Sequence, residues 1–233
     1  MEDILRSGFA ELGIEPDGKA LERYSTYFEY LEERNAVMNL TAISGREDVA
    51  RLHFLDCAAL LAVCDFKDKT VIDIGTGAGF PGLALKIAQP SIKLTLLDSL
   101  NKRVEFLTQT CEKLGLDDVT CLHARAEEAP EELYAAFDIA TSRAVARLNV
   151  LCELCLPFVK VGGTFIAMKG PDCAQELEQA HNALHILGAE VEKTAAYTIP
   201  ETDITHTAVV IRKLKSTHPK YPRKWAQIKK QPL

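Results

Sequence analysis

The chain has 233 residues, 47% hydrophobic and 26% charged, enough apolar material for one large globular domain with an appendage. Its longest apolar runs, such as Cys57-Ala-Ala-Leu-Leu-Ala-Val-Cys64, are too short to span a bilayer, and Met1-Glu-Asp-Ile lacks the basic start and apolar core of a signal peptide. A cytoplasmic location is therefore the default expectation, a monomer is expected, and the net charge of −6 by itself argues against a polyanionic partner.

Residues 1 to about 66 read as a helical region. Between Lys19 and Arg34, the residues Leu21, Tyr24, Phe28 and Leu31 recur at spacings of three and four, one apolar stripe. Asn35-Ala-Val-Met-Asn-Leu-Thr41 is read as a break. Ser44 then offers an N-cap, with Glu47 completing a capping box. On the helix that follows, His53 and Asp56 stand three apart and share a face. His53 reads either as a surface or interface histidine or as a contact to substrate or to the neighbouring domain. Phe66-Lys-Asp-Lys69 is a connector.

Thr70-Val-Ile-Asp-Ile-Gly-Thr-Gly-Ala-Gly-Phe-Pro-Gly82 is the most informative stretch. Val71, Ile72 and Ile74 suit a buried parallel strand, and Gly75, Gly77 and Gly79 turn it into a tight loop. Pro81 and the run to Ala88 continue as a helix. Strand, glycine loop and helix make the first half of a nucleotide-binding unit. The spacing is G-x-G-x-G, not a clean G-x-G-x-x-G. The next strand, Ile92–Asp98, ends in an acid that could grip a ribose, which fits NAD as well as S-adenosylmethionine. Asp73, two residues before the first glycine, favours the methyl donor, whose amino-acid portion it could hold directly or through water.

Strands and helices then alternate. A helix over Asn101–Leu114 closes at Gly115, and a third strand, Val119–His123, leads into the loop Ala124–Glu128. In this architecture that loop passes an adenine ring, so Ala126 and Glu127 are candidate contacts. A fourth strand covers Phe137–Arg143, a helix runs to about Val159, and Gly162-Gly163 precedes a fifth strand, Thr164–Lys169. A helix over about Cys173–Leu187 and late strands near Glu190–Thr198 and His206–Arg212 complete the pattern. The order implies a doubly wound parallel sheet with one antiparallel strand inserted at an edge. Asp73, Asp98, Arg143 and Lys169 fall at carboxyl ends of strands, where such sheets bind ligands.

Seven scattered cysteines read as buried thiols, and Cys152-x-x-Cys155 lies inside an apolar helical run, so no metal site is expected. The charge is uneven. Eight of the 27 Lys and Arg lie between 212 and 230 with no Asp or Glu among them, which leaves 19 basic against 33 acidic side chains elsewhere. A basic tail on an acidic body suits a polyanion such as RNA, although such runs are often merely solvated. The division expected is a helical region 1–66, a catalytic domain 67–214 and a basic tail 215–233.

Several pieces together resemble one family. They are Asn39-Leu-Thr41, Arg51-Leu-His-Phe-Leu-Asp56, Asp73–Gly82, Asp98-Ser-Leu-Asn-Lys-Arg103, Arg125-Ala-Glu-Glu128, Ser142-Arg-Ala-Val145, Met168-Lys-Gly170 and Tyr221-Pro-Arg-Lys224. This set is similar to the bacterial 16S rRNA (guanine-N7)-methyltransferase G family, also called glucose-inhibited division protein B. Cys57 and Trp225 depart from its usual residues. The resemblance implies a Rossmann-like class I methyltransferase fold with seven strands, S-adenosylmethionine as donor, and the small ribosomal subunit's 16S rRNA as partner. It implies a donor site of Gly75, Phe80, Asp98, Ser99, Leu100, Ala126, Glu127 and Arg143, beside Asp73 and Gly77. It also implies that Arg125, Arg143 and Lys169 line the RNA side as catalytic residues. His53, Lys220, Arg223, Lys224, Lys229 and Lys230 are the candidate RNA contacts. Tyr221 and Trp225 could stack on bases or pack against the body. A small-molecule or protein methyltransferase, a nucleotide-binding regulator without turnover, and an NAD oxidoreductase are the competing readings.

Overall fold

The computed structural model describes residues 1–171 and 173–233. Two helices lead, α1 (Glu2–Glu11) and α2 (Gly18–Met38). Asp17 caps α2 by accepting from the Ala20 amide at 2.6 Å. The helix runs on through Asn35–Met38, where the sequence suggested a break, and stops at Asn39 with φ 51°. The residues before Asn39 continue the helix without strain, and Asn tolerates the left-handed region where the chain must turn. The Asn35 side chain then brackets Thr41: its Nδ2 donates to the Thr41 carbonyl at 3.0 Å, and its Oδ1 accepts from the Thr41 amide at 2.9 Å.

The capping box at Ser44 does not form. Gly45, at φ 87°, holds the N-cap position without a side-chain bond, and Glu47 pairs instead with Arg51 at 3.0 Å. The helical stretch is then uneven: α3 (Arg46–Val49), a π turn (Ala50–Leu55), α4 (Asp56–Ala58) and α5 (Leu60–Val63). The π turn carries His53, and Asp56 follows it directly. Both are buried, at 4% and 1% exposure.

The alternating part follows as β1 (Thr70–Ile74), α6 (Gly82–Ala88), β2 (Lys93–Asp98), α7 (Asn101–Leu114), β3 (Val119–His123), β4 (Phe137–Arg143), α8 (Leu148–Cys155), β5 (Val159–Lys169), α9 (Ala174–Leu187), β6 (Ala189–Thr198), β7 (Thr205–Lys213) and α10 (Trp225–Lys230). The seven strands lie in the order β3-β2-β1-β4-β5-β7-β6, with β7 antiparallel to both neighbours. Strand β5 starts at Val159, earlier than Gly162-Gly163 suggested. Phe137 pairs with Val159 and Ile139 with Thr164, so the glycines sit in a bulge, with Gly162 at φ 84°.

Alternation along β1 divides the core. Val71 joins Leu5, Tyr24, Leu83 and Phe106 on the side of α1, α2, α6 and α7, whereas Ile72 and Ile74 face Leu151, Cys155 and Leu184 on the side of α8 and α9. Cys152 and Cys155 are buried packing residues of α8. The strand order reverses between β1 and β4, which opens a crevice beyond their carboxyl ends.

Candidate active site

The glycine loop is held from three sides. The Gly75 and Thr76 amides both donate to the Leu97 carbonyl, at 2.9 and 3.2 Å. Asp73 Oδ2 accepts from Thr76 Oγ1 at 2.7 Å and from the Gly82 amide at 2.8 Å. Tyr27 of α2 donates its hydroxyl to the Ala78 carbonyl from below. Asp73 is 0% exposed; its Oδ2 shapes the loop and the start of α6, while its Oδ1 is buried without a hydrogen-bond partner. Burial pushes its carboxyl up to about 6, against the pull of those hydrogen bonds. Gly75 adopts φ +69°, and a Cβ there would come within 2.6 Å of Val145 Cγ2. Backbone thus approaches the crevice where no side chain would fit.

Asp98 closes the other side. Its Oδ2 accepts from the Gly77 amide at 3.0 Å, its Oδ1 from the Leu100 amide at 2.9 Å, and Arg103 stands at 3.5 Å. Gly75, Gly77, Phe80, Asp98, Ser99 and Arg143 all border one cavity of about 410 Å³. Leu100, 43% exposed, stays outside its wall. A recess of about 230 Å³ extends past Gly75 and Ser99 to Ala126 and Glu127. Glu127 Oε1 is buried there without a hydrogen-bond donor. An acceptor that no hydrogen bond satisfies, with Arg125 Nη1 at a long 3.8 Å, fits a ligand that brings an amino group, as the adenine of S-adenosylmethionine would.

A third cavity, of about 620 Å³, lies on the opposite side of Arg143 and is bordered by Thr41, His53, Asp56, Met168, Lys169 and His206. Arg143 borders both this and the donor cavity. It donates to Asp56 Oδ2 at 3.0 Å, to the Leu52 carbonyl at 3.2 Å and to His53 Nδ1 at 2.6 Å. A guanidinium only donates, so His53 accepts at Nδ1 and carries its proton on Nε2, which meets Thr41 Oγ1 at 2.8 Å. Burial, reinforced by Arg143, lowers the His53 pKa to about 3. The imidazole stacks on Phe80 at 4.2 Å, and Arg143 lies 5.1 Å above the same ring. His53 therefore ties the helical region to the sheet, the domain contact that its spacing allowed.

The hub of that tie is Asp56, which the sequence marked only as the neighbour of His53. Besides Arg143 it accepts from Tyr197 at 2.9 Å and bonds His206 Nδ1 at 2.9 Å. The His206 pKa is raised by that hydrogen bond. The H-x-x-D spacing and the Asn39-Leu-Thr41 piece were the available signals; Tyr197 and His206 carried none.

The remaining cations separate. Arg125 borders the recess beside Glu127, 3.8 Å away, and does not meet Arg143 and Lys169 on the far side. Lys169 is neither free nor solvated: its Nζ donates to Glu176 at 2.7 Å and to the Ala146 carbonyl at 2.8 Å. Arg223 forks onto the fully buried Glu153 at 2.7 and 2.6 Å, so its guanidinium is committed inside the protein and not to an outside phosphate. Lys220, Lys224, Lys229 and Lys230 are exposed. The tail packs on the body through Ile228, which is 0% exposed, and the half-buried Tyr221. No described helix is long and apolar enough to cross a membrane.

Comparisons with known proteins agree with this arrangement. The chain is 49% identical over 233 residues to the ribosomal RNA small subunit methyltransferase G of Alkaliphilus metalliredigens, covering 99% of this chain and 98% of that one. It is 44% identical to the enzyme of the same description from Clostridium perfringens (strain 13 / Type A), with the same coverage. A methyltransferase structure from Pyrococcus furiosus superposes with a TM-score of 0.57 at 15% identity, over 83% of this chain and 99% of that one, and supports the fold alone. The family GidB, rRNA small subunit methyltransferase G, matches residues 20–205. With the class I sheet, the glycine cradle and near full-length identity to its members, the chain belongs to this family of S-adenosylmethionine-dependent small-subunit rRNA methyltransferases.

Proposed function

We propose that the chain methylates N7 of one guanine in the decoding region of 16S rRNA by direct displacement. The observation that carries this reading is the double role of Arg143, which forms a common wall of the donor cavity and of the larger cavity beside it. A base in the second cavity would meet a methyl group in the first across that wall. S-adenosylmethionine, when bound, supplies a methyl group on a sulfonium centre. The guanine N7 has an in-plane lone pair and no proton to lose, so no side chain is needed as a base. His53 suits this: it is held neutral and fully bonded, hence unfit to shuttle protons. The chain's contribution is then to position the reactants. On this reading Asp98 would accept from ribose hydroxyls, Glu127 from an adenine amino group, and the Gly75–Gly77 backbone would admit the ligand closely.

The exposed lysines of the tail are the cations offered to RNA, and Lys169 at the cavity edge would reach it only by exchanging its Glu176 partner. Arg125 can serve a flanking phosphate from the recess side. Arg143 orients both cavities. Ribosomal RNA as substrate implies work in the cytoplasm. The test is transfer of tritiated methyl groups to small subunits from a strain lacking this enzyme, and to stripped 16S rRNA, followed by mapping of the product. A single labelled guanine, methylated at N7, is expected. Label on another atom or on a protein would refute the assignment.

A further inference from the structure

Trp225 is the only tryptophan of the chain. It opens α10, is 38% exposed, and borders the 230 Å³ recess together with Ala126 and Glu127. The other residues of that wall come from β1, β2, α8 and the loops that follow β1, β2, β3 and β4, whereas Trp225 comes from the C-terminal segment. That segment is anchored on both sides of the indole. Ahead of it, Arg223 forks onto the buried Glu153 of α8, and its backbone amide adds a third bond to the same carboxylate at 2.9 Å. Behind it, Ile228 is fully buried in the cluster that contains Ala126 and Leu154. The indole is thus a large aromatic surface on a fixed support, left partly uncovered at the mouth of a recess. On the same recess Glu127 Oε1 makes no hydrogen bond, Arg125 Nη1 standing 3.8 Å away.

The two features are complementary to a planar, amino-bearing heterocycle. Glu127 would take the amino group, and an indole would cover the ring, since every base offers a π face to an aromatic side chain. We propose that Trp225 is a specificity-determining residue of the donor site, covering the adenine from outside, so that the C-terminal segment is a structural part of the donor pocket. This rests on the reading that seats the adenosine half of the donor in the recess. It goes beyond the assignment of the tail to RNA, because the same segment would serve both ligands.

The test uses the full-length protein and S-adenosylhomocysteine. Calorimetric titration of wild type, Trp225→Ala and Trp225→Phe should give about tenfold weaker binding for Ala, the lower range for loss of an aromatic–base stack, and near wild-type binding for Phe. Intrinsic fluorescence of the wild type has a single indole to report. Adenosine and S-adenosylhomocysteine should both change it at saturation, and homocysteine alone should not. Unchanged affinity in Trp225→Ala would overturn the proposal, as would a silent indole while calorimetry registers binding; either result leaves the donor site itself standing. Absence of any heat from the wild type would sink both the donor reading and this inference.

Discussion

Asp98 holds two amides on neighbouring loops with one carboxylate, Gly77 on one side and Leu100 on the other. Replacing it with Asn turns one acceptor into a donor that faces an N–H. The variant Asp98→Asn should lose about 1–3 kcal/mol of loop and ligand stabilisation, visible as a drop in S-adenosylhomocysteine affinity of at least about tenfold by calorimetry. A second expectation concerns acid. The folded pKa of His53 is about 3 against an ordinary 6.5, so the unfolded chain binds the extra proton between those values. Its contribution to stability is full above pH 6.5 and is lost as pH falls toward 3. Asp73 works in the opposite sense, its contribution being full below 3.8 and lost as pH rises through about 6. The variant His53→Gln should therefore be less stable than wild type at pH 7.5, and its deficit should shrink as pH is lowered through 6.5. Urea denaturation at a series of pH values measures this, and a deficit constant down to pH 4.5 would argue against a buried neutral imidazole. The glycine loop and the acid that ends β2 were recognisable in the sequence because both belong to one strand–loop–helix–strand unit. Asp56 was not, because its partners lie 87, 141 and 150 residues away. The loop-holding bonds of Asp73 were not foreseen, because a carboxylate beside loop amides suits a ligand and a loop equally in the sequence.

At the level of elements, the doubly wound order was legible because strands and helices alternate with glycine stops. What escaped were irregularities produced by tertiary packing. The π turn has no signature in composition, yet it buries His53 together with its neighbours Phe54 and Leu55. Helix α2 was recognisable as an amphipathic stripe, but not as a support for the glycine loop. Its Tyr24 hydroxyl donates to the Ala84 carbonyl at 2.7 Å, and its Tyr27 hydroxyl reaches Ala78. Both rings lie against Phe54, and Tyr27 also stacks on Phe80 at 5.5 Å. Tyr27→Phe keeps the packing and leaves the Ala78 carbonyl without its donor. It should cost about 1 kcal/mol in thermal or chemical denaturation and weaken donor binding severalfold. Full stability with full affinity would show that the loop does not depend on this helix.

Across the whole molecule the charge asymmetry was plain in the sequence, but not its form. The basic run is folded back on the body, with Arg223 spent on Glu153 and Lys213 buried against the Leu187 carbonyl at 2.8 Å. Lys220, Lys224, Lys229 and Lys230 remain outward. Neutralising Lys224, Lys229 and Lys230 together should weaken binding to small-subunit rRNA and lower the slope of log affinity against log salt by up to about one per lysine, measured by filter binding across salt concentrations. An unchanged slope would place the RNA elsewhere.

The first 66 residues also prove to be more than an attachment to the sheet. Leu5, Phe9 and Tyr24 share one apolar cluster with Leu83, Leu96 and Phe106, and Asp56 is knotted to Arg143 in the sheet. A protease that clips the connector between Phe66 and Lys69 should therefore release nothing: the two fragments would travel together through a sizing column until denaturant parts them. Expressed without its leading helices, the sheet would keep every strand and leave one flank bare to water.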